Sequence, residues 1–327
     1  MKVGILSSAH MHAGAYVMAL KRLGNVEIVG IADEDENRGK EFAKAHNIEY
    51  FKDYHEFLKM DMDAVIICSE NVKHCEMAVE AARHGKHVIV EKPIATTIAD
   101  AEKMINVCDE NNVKLMVTFP IRYSPAVLRA KGIIDSGKIG EVVAINATNR
   151  GSMPGGWFID KKLSGGGCII DHTVHVMDII NMILNTKVKE VYAKKATLIH
   201  DIPVEDTGIL SIELESGVYI TLDTSWSRPV SYPTWGDVTM EIVGTKGAIS
   251  VDAYAQSSKL YSNKNNKSLN VYWGDNPDYL MMRDFIDCIE KDKPSPVTGE
   301  DGLFALNVAF MAYKSAEENK VVSNVTA

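Results

Sequence analysis

The chain has 327 residues, 46% hydrophobic and 24% charged, and carries a formal net charge of −9. That length and balance describe a globular protein with two domains of ordinary size, each able to bury its own core. The acidic excess argues against a nucleic-acid or anionic-membrane surface, because phosphates would be repelled over most of the exterior.

No apolar run approaches the roughly 20 residues that a membrane helix needs. The strand starting at Lys2 runs straight into polar Ser7-Ser8-Ala9-His10, unlike a signal peptide. Cys68, Cys75, Cys108, Cys168 and Cys288 are odd in number, scattered and without C-x-x-C spacing, which is the usage of a reducing cytoplasm. Cys68 and Cys168 read as small core residues.

Residues 1–120 alternate strand and helix. Apolar strands are expected over 3–6, 26–32, 64–68, 87–90 and 114–119, with helices over 13–23, 34–46, 75–84 and 99–111 between them. This spacing implies a parallel sheet covered by helices on both faces. Ligands of such sheets bind beyond the carboxyl ends of the strands, where Ser7, Asp33, Ser69, Glu91-Lys92 and Phe119-Pro120 all fall.

The pattern changes after Pro125. A helix to about residue 136 leads to a strand over 142–149, a glycine-rich loop and an apolar helix. Alternating strands over 209–214 and 218–226 flank Ser216-Gly217, and those over 239–243 and 248–251 flank Thr245-Lys246-Gly247. Both read as hairpins of an antiparallel sheet with one covered face. Residues 262–268 form a polar loop tip, and helices over 279–291 and 302–319 close the chain.

The run from Gly165 to Asp178 carries the most chemistry. Three glycines open a helix that places Asp171, His175 and Asp178 at i, i+4 and i+7, on one face. A carboxylate one turn from an imidazole can hold the ring's tautomer and stabilise the imidazolium formed in a proton transfer. Upstream, Glu91-Lys92-Pro93 ends the fourth strand with further titratable groups and with an X-Pro step, where cis bonds occur. Each motif also has a plainer reading: a structural His–Asp pair, a tight turn, a rigid corner. The charged groups stand in a mostly apolar stretch, where burial is costly without partners, and that favours function.

The first strand-to-helix turn lacks the Gly-x-Gly-x-x-Gly fingerprint of dinucleotide sites and has Ser7-Ser8-Ala9-His10-Met11-His12 instead. Small Ser7 and Ala9 still admit a pyrophosphate at the helix start, while His12 takes the place of the third glycine. Asp33 ends the second strand about twenty residues on, where a carboxylate accepts from an adenosine ribose; capping the next helix is its plainer reading. Two like charges about 4 Å apart cost roughly 4 kcal/mol at an effective dielectric near 20, so Asp33 opposes a 2′-phosphate. With Glu34 and Asp35 beside it, NAD is favoured over NADP. His10-x-His12 is a possible metal pair, but no third ligand is evident nearby and a phosphate-binding turn is a poor cation cage. No metal is expected.

With these residues in hand, the chain resembles the glucose–fructose oxidoreductase and inositol dehydrogenase (Gfo/Idh/MocA) family over nearly its whole length. Glu91-Lys92-Pro93, the Gly-Gly-Gly…Asp171-x-x-x-His175-x-x-Asp178 run, Arg122-Tyr123-Ser124-Pro125 and Gly156-Trp157-Phe158 carry the likeness. The resemblance implies an α/β protein: a Rossmann doubly wound parallel sheet over 1–121, then an α/β domain over 122–327 with an open, mostly antiparallel sheet. It implies Lys92, Asp171 and His175 as the catalytic set, and Arg122, Arg150, Trp157 and Asp178, with the 226–235 segment, as substrate contacts. Cofactor contacts are expected from Ser7, Ala9, His10, Asp33, Ser69, Asn71, His74, Glu91 and Lys92. Ser69-Glu70-Asn71 departs from the family's Thr-Pro-Asn, and Pro120 replaces a polar residue.

The expected activity is NAD-dependent oxidation of a secondary hydroxyl of a sugar, sugar derivative or cyclitol, with the cofactor taking the hydride. His175, oriented by Asp171, removes the hydroxyl proton while Lys92 polarises the oxygen, or the two exchange roles. Two rivals remain: a nucleotide- and sugar-binding regulator without turnover, and a lyase-like enzyme using tightly held NAD transiently. A cytoplasmic homodimer or homotetramer, without nucleic-acid or membrane partners, is expected.

Overall fold

A computed structural model describes residues 1–274 and 276–324. The first sheet holds β1 (Lys2–Leu6), β2 (Glu27–Ala32), β3 (Tyr50–Phe51), β4 (Ala64–Ile67), β5 (His87–Val90) and β6 (Leu115–Val117), all parallel, in the order 3-2-1-4-5-6. Helices α1 (Ala13–Leu23), α2 (Glu36–His46), α3 (Tyr54–Leu58), α4 (His74–Arg83) and α5 (Ile98–Glu110) connect them. Central β4 is buried throughout, as its unbroken apolar run requires when helices cover both faces. Five strands were expected; β3, only two residues long, is too short to show a period. The Lys92–Pro93 peptide is cis.

After α6 (Pro125–Asp135) come β7 (Val142–Thr148), α7 (Lys161–Ser164) and α8 (Cys168–Leu184). A second sheet adds β8 (Val188–Ala196), β9 (Thr207–Leu214), β10 (Tyr219–Asp223), β11 (Thr239–Gly244), β12 (Gly247–Asp252) and the C-terminal β15 (Val322–Ser323), in the order 12-11-7-10-9-8-15. Both expected hairpins, β9–β10 and β11–β12, are present, and β10 runs parallel to β7 in an otherwise antiparallel sheet. Burial alternates along β9 and β10 because α8 and α10 (Gly299–Glu318) cover one face only. A separate hairpin, β13 (Ser257–Ser262) and β14 (Lys267–Tyr272), escaped the sequence reading apart from its polar tip. It is largely exposed, so no apolar alternation marks it. The last helices return toward the first sheet: α9 (Pro277–Glu290) packs on α1, and α10 on α8, α5 and β6.

Residues 161–184 are long and apolar enough to cross a membrane, contrary to the expectation that no run approaches that length. They lie mostly inside the protein. Every side chain from Cys168 to Ile180 is buried, which identifies α8 as a core helix, packed against α10 and β9. Each buried Ile, Val or Met there contributes about 1.5–3 kcal/mol. That burial holds the helix's polar residues in fixed positions.

Candidate active site

The glycine run that opens α8 is dictated by close contact. A Cβ on Gly167 would fall 2.1 Å from the Glu205 carbonyl oxygen, and one on Gly166 2.0 Å from the Tyr313 hydroxyl. Glu205 uses that closeness to cap the helix. Its carboxylate accepts from the amides of Gly167 (2.9 Å) and Ile169 (3.3 Å) and from the Tyr313 hydroxyl (2.6 Å), and its carbonyl accepts from the Cys168 amide. An anion at a helix N-terminus is stabilising. Asp171 and His175 are thereby presented to a cavity of about 540 Å³, which Lys92, His10 and His12 also line. Trp235, Tyr254, Tyr272, Trp273, Gln256 and Asp278 form much of the remaining wall.

Lys92 Nζ lies 2.5 Å from Asp171 Oδ1, and Trp226 Nε1 donates to Asp171 Oδ2 at 3.1 Å. Burial alone would raise the Asp171 carboxyl, but Lys92 and His172 outweigh it and hold the group well below its usual range. His175 Nδ1 has no hydrogen-bond partner among the described residues. Burial, reinforced by Lys92, keeps that imidazole neutral well below its ordinary range. The expected orientation of His175 by Asp171 is therefore corrected: helical spacing puts them on one face, but the carboxylate turns to lysine and indole. His172, which the sequence reading missed, lies 3.3 Å from Asp171 Oδ2 through Nε2 and bonds the Thr224 carbonyl through Nδ1 at 2.9 Å. Only its place inside the Asp-His-Thr-Val-His run could have marked it.

The expected substrate contacts separate from this pocket. Arg122 Nε donates to Asp178 Oδ2 at 3.0 Å, its Nη2 bonds the other oxygen, and Nη1 donates to the Pro296 carbonyl. Burial pushes the Asp178 carboxyl up to about 6 against the pull of Arg122. Neither residue lines the cavity. Seven residues carry Asp178 along α8 past the cavity and into the core. Arg150 is committed to Asp237 (3.4 Å). Trp157 stacks on Phe158 and donates Nε1–H to the Ala9 carbonyl at 3.0 Å, so it covers the first turn while Phe158 faces the cavity. In the 226–235 segment, Trp226 is buried against Asp171, and Thr234 and Trp235 reach the cavity.

At the first turn Ser7 takes a left-handed backbone (φ 66°), where the fingerprint would have glycine. Asp33 accepts from the Ser8 amide (2.9 Å) and from Arg38 Nε and Nη2 (2.9 and 2.7 Å). Burial opposes ionisation there, yet Arg38 and Ser8 hold the carboxyl below its usual range. Helix α2 is capped by Asp35 rather than Asp33. His74 donates Nδ1–H to the Pro93 carbonyl at 3.0 Å and meets the Ser69 carbonyl at 3.3 Å, fastening two loops together. Glu91, expected at the cofactor, is fully buried. Its carboxylate meets His12 Nδ1 at 3.1 Å, His10 Nδ1 at 3.6 Å and the Tyr16 hydroxyl. The third group beside His10-x-His12, not evident in the sequence, is thus Glu91, brought from the end of β5 to the β1–α1 turn.

A dinucleotide fits the carboxyl edge of the first sheet. Asn71 Oδ1 after β4, Thr118 Oγ1 after β6 and His175 Nδ1 are buried without hydrogen-bond partners among the described residues. Unsatisfied polar atoms converging on one edge are what a polar ligand completes. The parallel sheet of this order, with a lysine, an aspartate and a neutral histidine gathered at that edge, defines a dinucleotide-dependent oxidoreductase.

A family model for the oxidoreductase family with an NAD-binding Rossmann fold matches residues 3–119, and one for the GFO/IDH/MocA C-terminal domain matches residues 127–250. The chain belongs to the GFO/IDH/MocA oxidoreductase family, and residues 3–119 are an NAD-binding Rossmann domain. Inositol 2-dehydrogenase of Rhizobium meliloti (strain 1021) is 30% identical over 282 residues, 80% of this chain and 81% of that protein. Myo-inositol 2-dehydrogenase of Thermotoga maritima is 27% identical over 336 residues, 98% of each chain. The crystal structure of GenD2 from gentamicin A biosynthesis, in complex with NAD, shares the fold with a TM-score of 0.91 at 24% identity, over 99% of this chain and 96% of that one.

Proposed function

We propose that the protein is a dehydrogenase that oxidises a secondary hydroxyl of a sugar, sugar derivative or cyclitol and prefers NAD. In this reading residues 1–121 hold the dinucleotide and 122–327 the substrate. The observation that carries it is the meeting of neutral His175 with the Lys92–Asp171 pair on one cavity wall. NAD supplies the hydride acceptor when bound. His175 accepts the hydroxyl proton as the C–H hydride leaves and the carbonyl forms. Lys92, held in place by Asp171, donates a hydrogen bond to the same oxygen and stabilises its developing negative charge. Asp171 is a positioning residue for lysine. The aromatic walls suit the faces of a sugar or inositol ring, and Gln256, Thr234 and Asp278 offer polar contacts. The inositol dehydrogenases among its relatives support the same substrate class.

The preference for NAD rests on Asp33, Glu34 and Asp35, although Arg38 neutralises part of that charge. The test is a panel of sugars and inositols assayed with NAD⁺ and NADP⁺, following formation of reduced cofactor. At least one polyol should turn over, with kcat/KM higher for NAD⁺. A tenfold preference for NADP⁺ contradicts the cofactor assignment. Binding without reduced cofactor supports the regulator, and transient reduction supports the lyase-like enzyme.

The uncovered face of the second sheet presents Ile209, Tyr219 and Val243, an apolar set suited to pairing between copies. The protein is therefore a homodimer or homotetramer, and five buried free thiols suit the cytoplasm. Light scattering should give a mass above one chain at micromolar concentration; a monomer overturns the assembly.

A further inference from the structure

The mechanism leaves the cluster of His10, His12 and Glu91 unused. We infer that these three side chains form a binding site for a divalent transition-metal ion of the zinc class, opening on the catalytic cavity. One nitrogen from each ring and one Glu91 oxygen lie within 4.8 Å of one another. The two Nδ1 atoms stand 3.1 and 3.6 Å from Glu91 Oε1. In a tetrahedral site with metal–ligand bonds of about 2.0–2.2 Å, neighbouring donor atoms lie roughly 3.3–3.6 Å apart. The two His–Glu91 separations lie close to that spacing, and the whole set falls within 4.8 Å, so side-chain rotation can close it around one ion.

Three further observations point to a cation. Glu91 is a fully buried carboxylate with no lysine or arginine in its ion pairs among the described residues, whereas Asp33, Asp171 and Asp178 have Arg38, Lys92 and Arg122. A buried anion without a permanent cationic partner is costly, and a metal ion removes that cost. His10 is weakly committed: among the described residues Nε2 has no hydrogen-bond partner, and Nδ1 accepts from the His12 amide at 3.3 Å and lies 3.6 Å from Glu91. The Tyr16 hydroxyl bonds the same Glu91 oxygen, the kind of outer contact that orients a ligating carboxylate. The site lies at the start of α1, whose dipole disfavours a cation, but a full carboxylate charge outweighs that partial one.

Two imidazoles and one carboxylate are a donor set used for catalytic zinc and for open iron(II) sites, both of which leave positions for a further ligand. His10 and His12 both line the cavity, so the remaining positions face the substrate space, where a polyol oxygen can coordinate. That role rests on the dehydrogenase reading. Metal binding itself is measured without substrate or cofactor, so the two can fail separately.

The experiment titrates chelator-treated, full-length protein with Zn²⁺ by calorimetry, and with Co²⁺ by visible absorption. One equivalent of Zn²⁺ should bind, and Co²⁺ should develop the d–d bands of a protein-bound ion. Because loss of even an outer-shell contact costs about 10- to 100-fold in metal affinity, His12→Gln and Glu91→Gln should each weaken Zn²⁺ binding by more than 100-fold. His12 is partly exposed, so its variant should fold even if the Glu91 variant does not. His175→Ala should keep the equivalent. The site is overturned if the wild type takes up no Zn²⁺, leaving the cluster a hydrogen-bond network. It is equally overturned if His12→Gln binds as tightly as wild type, or if binding is lost in His175→Ala and kept in His12→Gln.

Discussion

Helix α8 carries two ion pairs two turns apart, Asp171 with Lys92 and Asp178 with Arg122. Both carboxylates are buried, and both are paired with residues far away in sequence. The first pair borders the cavity and uses a lysine, a compact point charge whose remaining protons can reach a substrate oxygen. The second is sealed in the core and uses an arginine, whose planar fork is committed to Asp178 and to the Pro296 carbonyl. A shared helical face thus says where side chains point, while the cavity decides which pair can do chemistry. The same chemistry of charge neutralisation borders the cavity at one level of the helix and serves packing at the next.

The largest expected effect falls on the cavity side. His175→Ala should lower kcat by about 10² to 10⁴, or roughly 3–5 kcal/mol of barrier, with NAD binding nearly unchanged. Steady-state kinetics and cofactor titration check this, and retention of more than about a tenth of wild-type kcat would remove His175 as the base. On the core side, Arg122→Ala leaves a buried carboxylate unpaired and should cost about 3–5 kcal/mol of stability. Replacing both partners by apolar residues, Arg122→Met with Asp178→Leu, should recover most of the loss in denaturant melts. Unchanged stability with an activity loss as large as that of His175→Ala would return Arg122 to the substrate site.

A smaller effect concerns pH. His175 acts as a base only when neutral, and its affinity for a proton is depressed by burial first and Lys92 second. Activity is then lost as pH falls through that lowered value, so the acid limb of log kcat/KM attributable to His175 should lie below about 6.5, the ordinary histidine value. If the limb that disappears in His175→Ala lies at or above that value, the ring is not held neutral as described.

Much of this arrangement was legible in the sequence, for physical reasons that also mark where reading stopped. Alternation of strand and helix, the strand-end positions of Ser7, Asp33 and Lys92, and the shared face of Asp171 and His175 follow from periods of two and 3.6 residues. Partner choice does not. Lys92 and Asp171 are 79 positions apart, and nothing local says that the carboxylate prefers lysine to the imidazole one turn away. Arg122 reaches Asp178 across 56 positions for the same reason. Glu91 and His12 meet only because β1, β4 and β5 are consecutive in the sheet, which sets the end of β5 near the first turn. Hairpin β13–β14 lacks a buried face, and with it the alternation that would have revealed it.

The unbroken burial of α8 from Cys168 to Ile180 also has a consequence for hydrogen exchange. Backbone amides surrounded by packed side chains on every side exchange only in the rarest, most global openings, whereas exposed segments exchange through local ones. Asp171 and His175 ride on the first kind of segment, while Tyr272, at the end of exposed β14, and neighbouring Trp273 bring the second kind to the same cavity. Deuterium uptake should therefore divide the pocket, with the α8 wall among the last parts of the protein to exchange and the aromatic wall among the first.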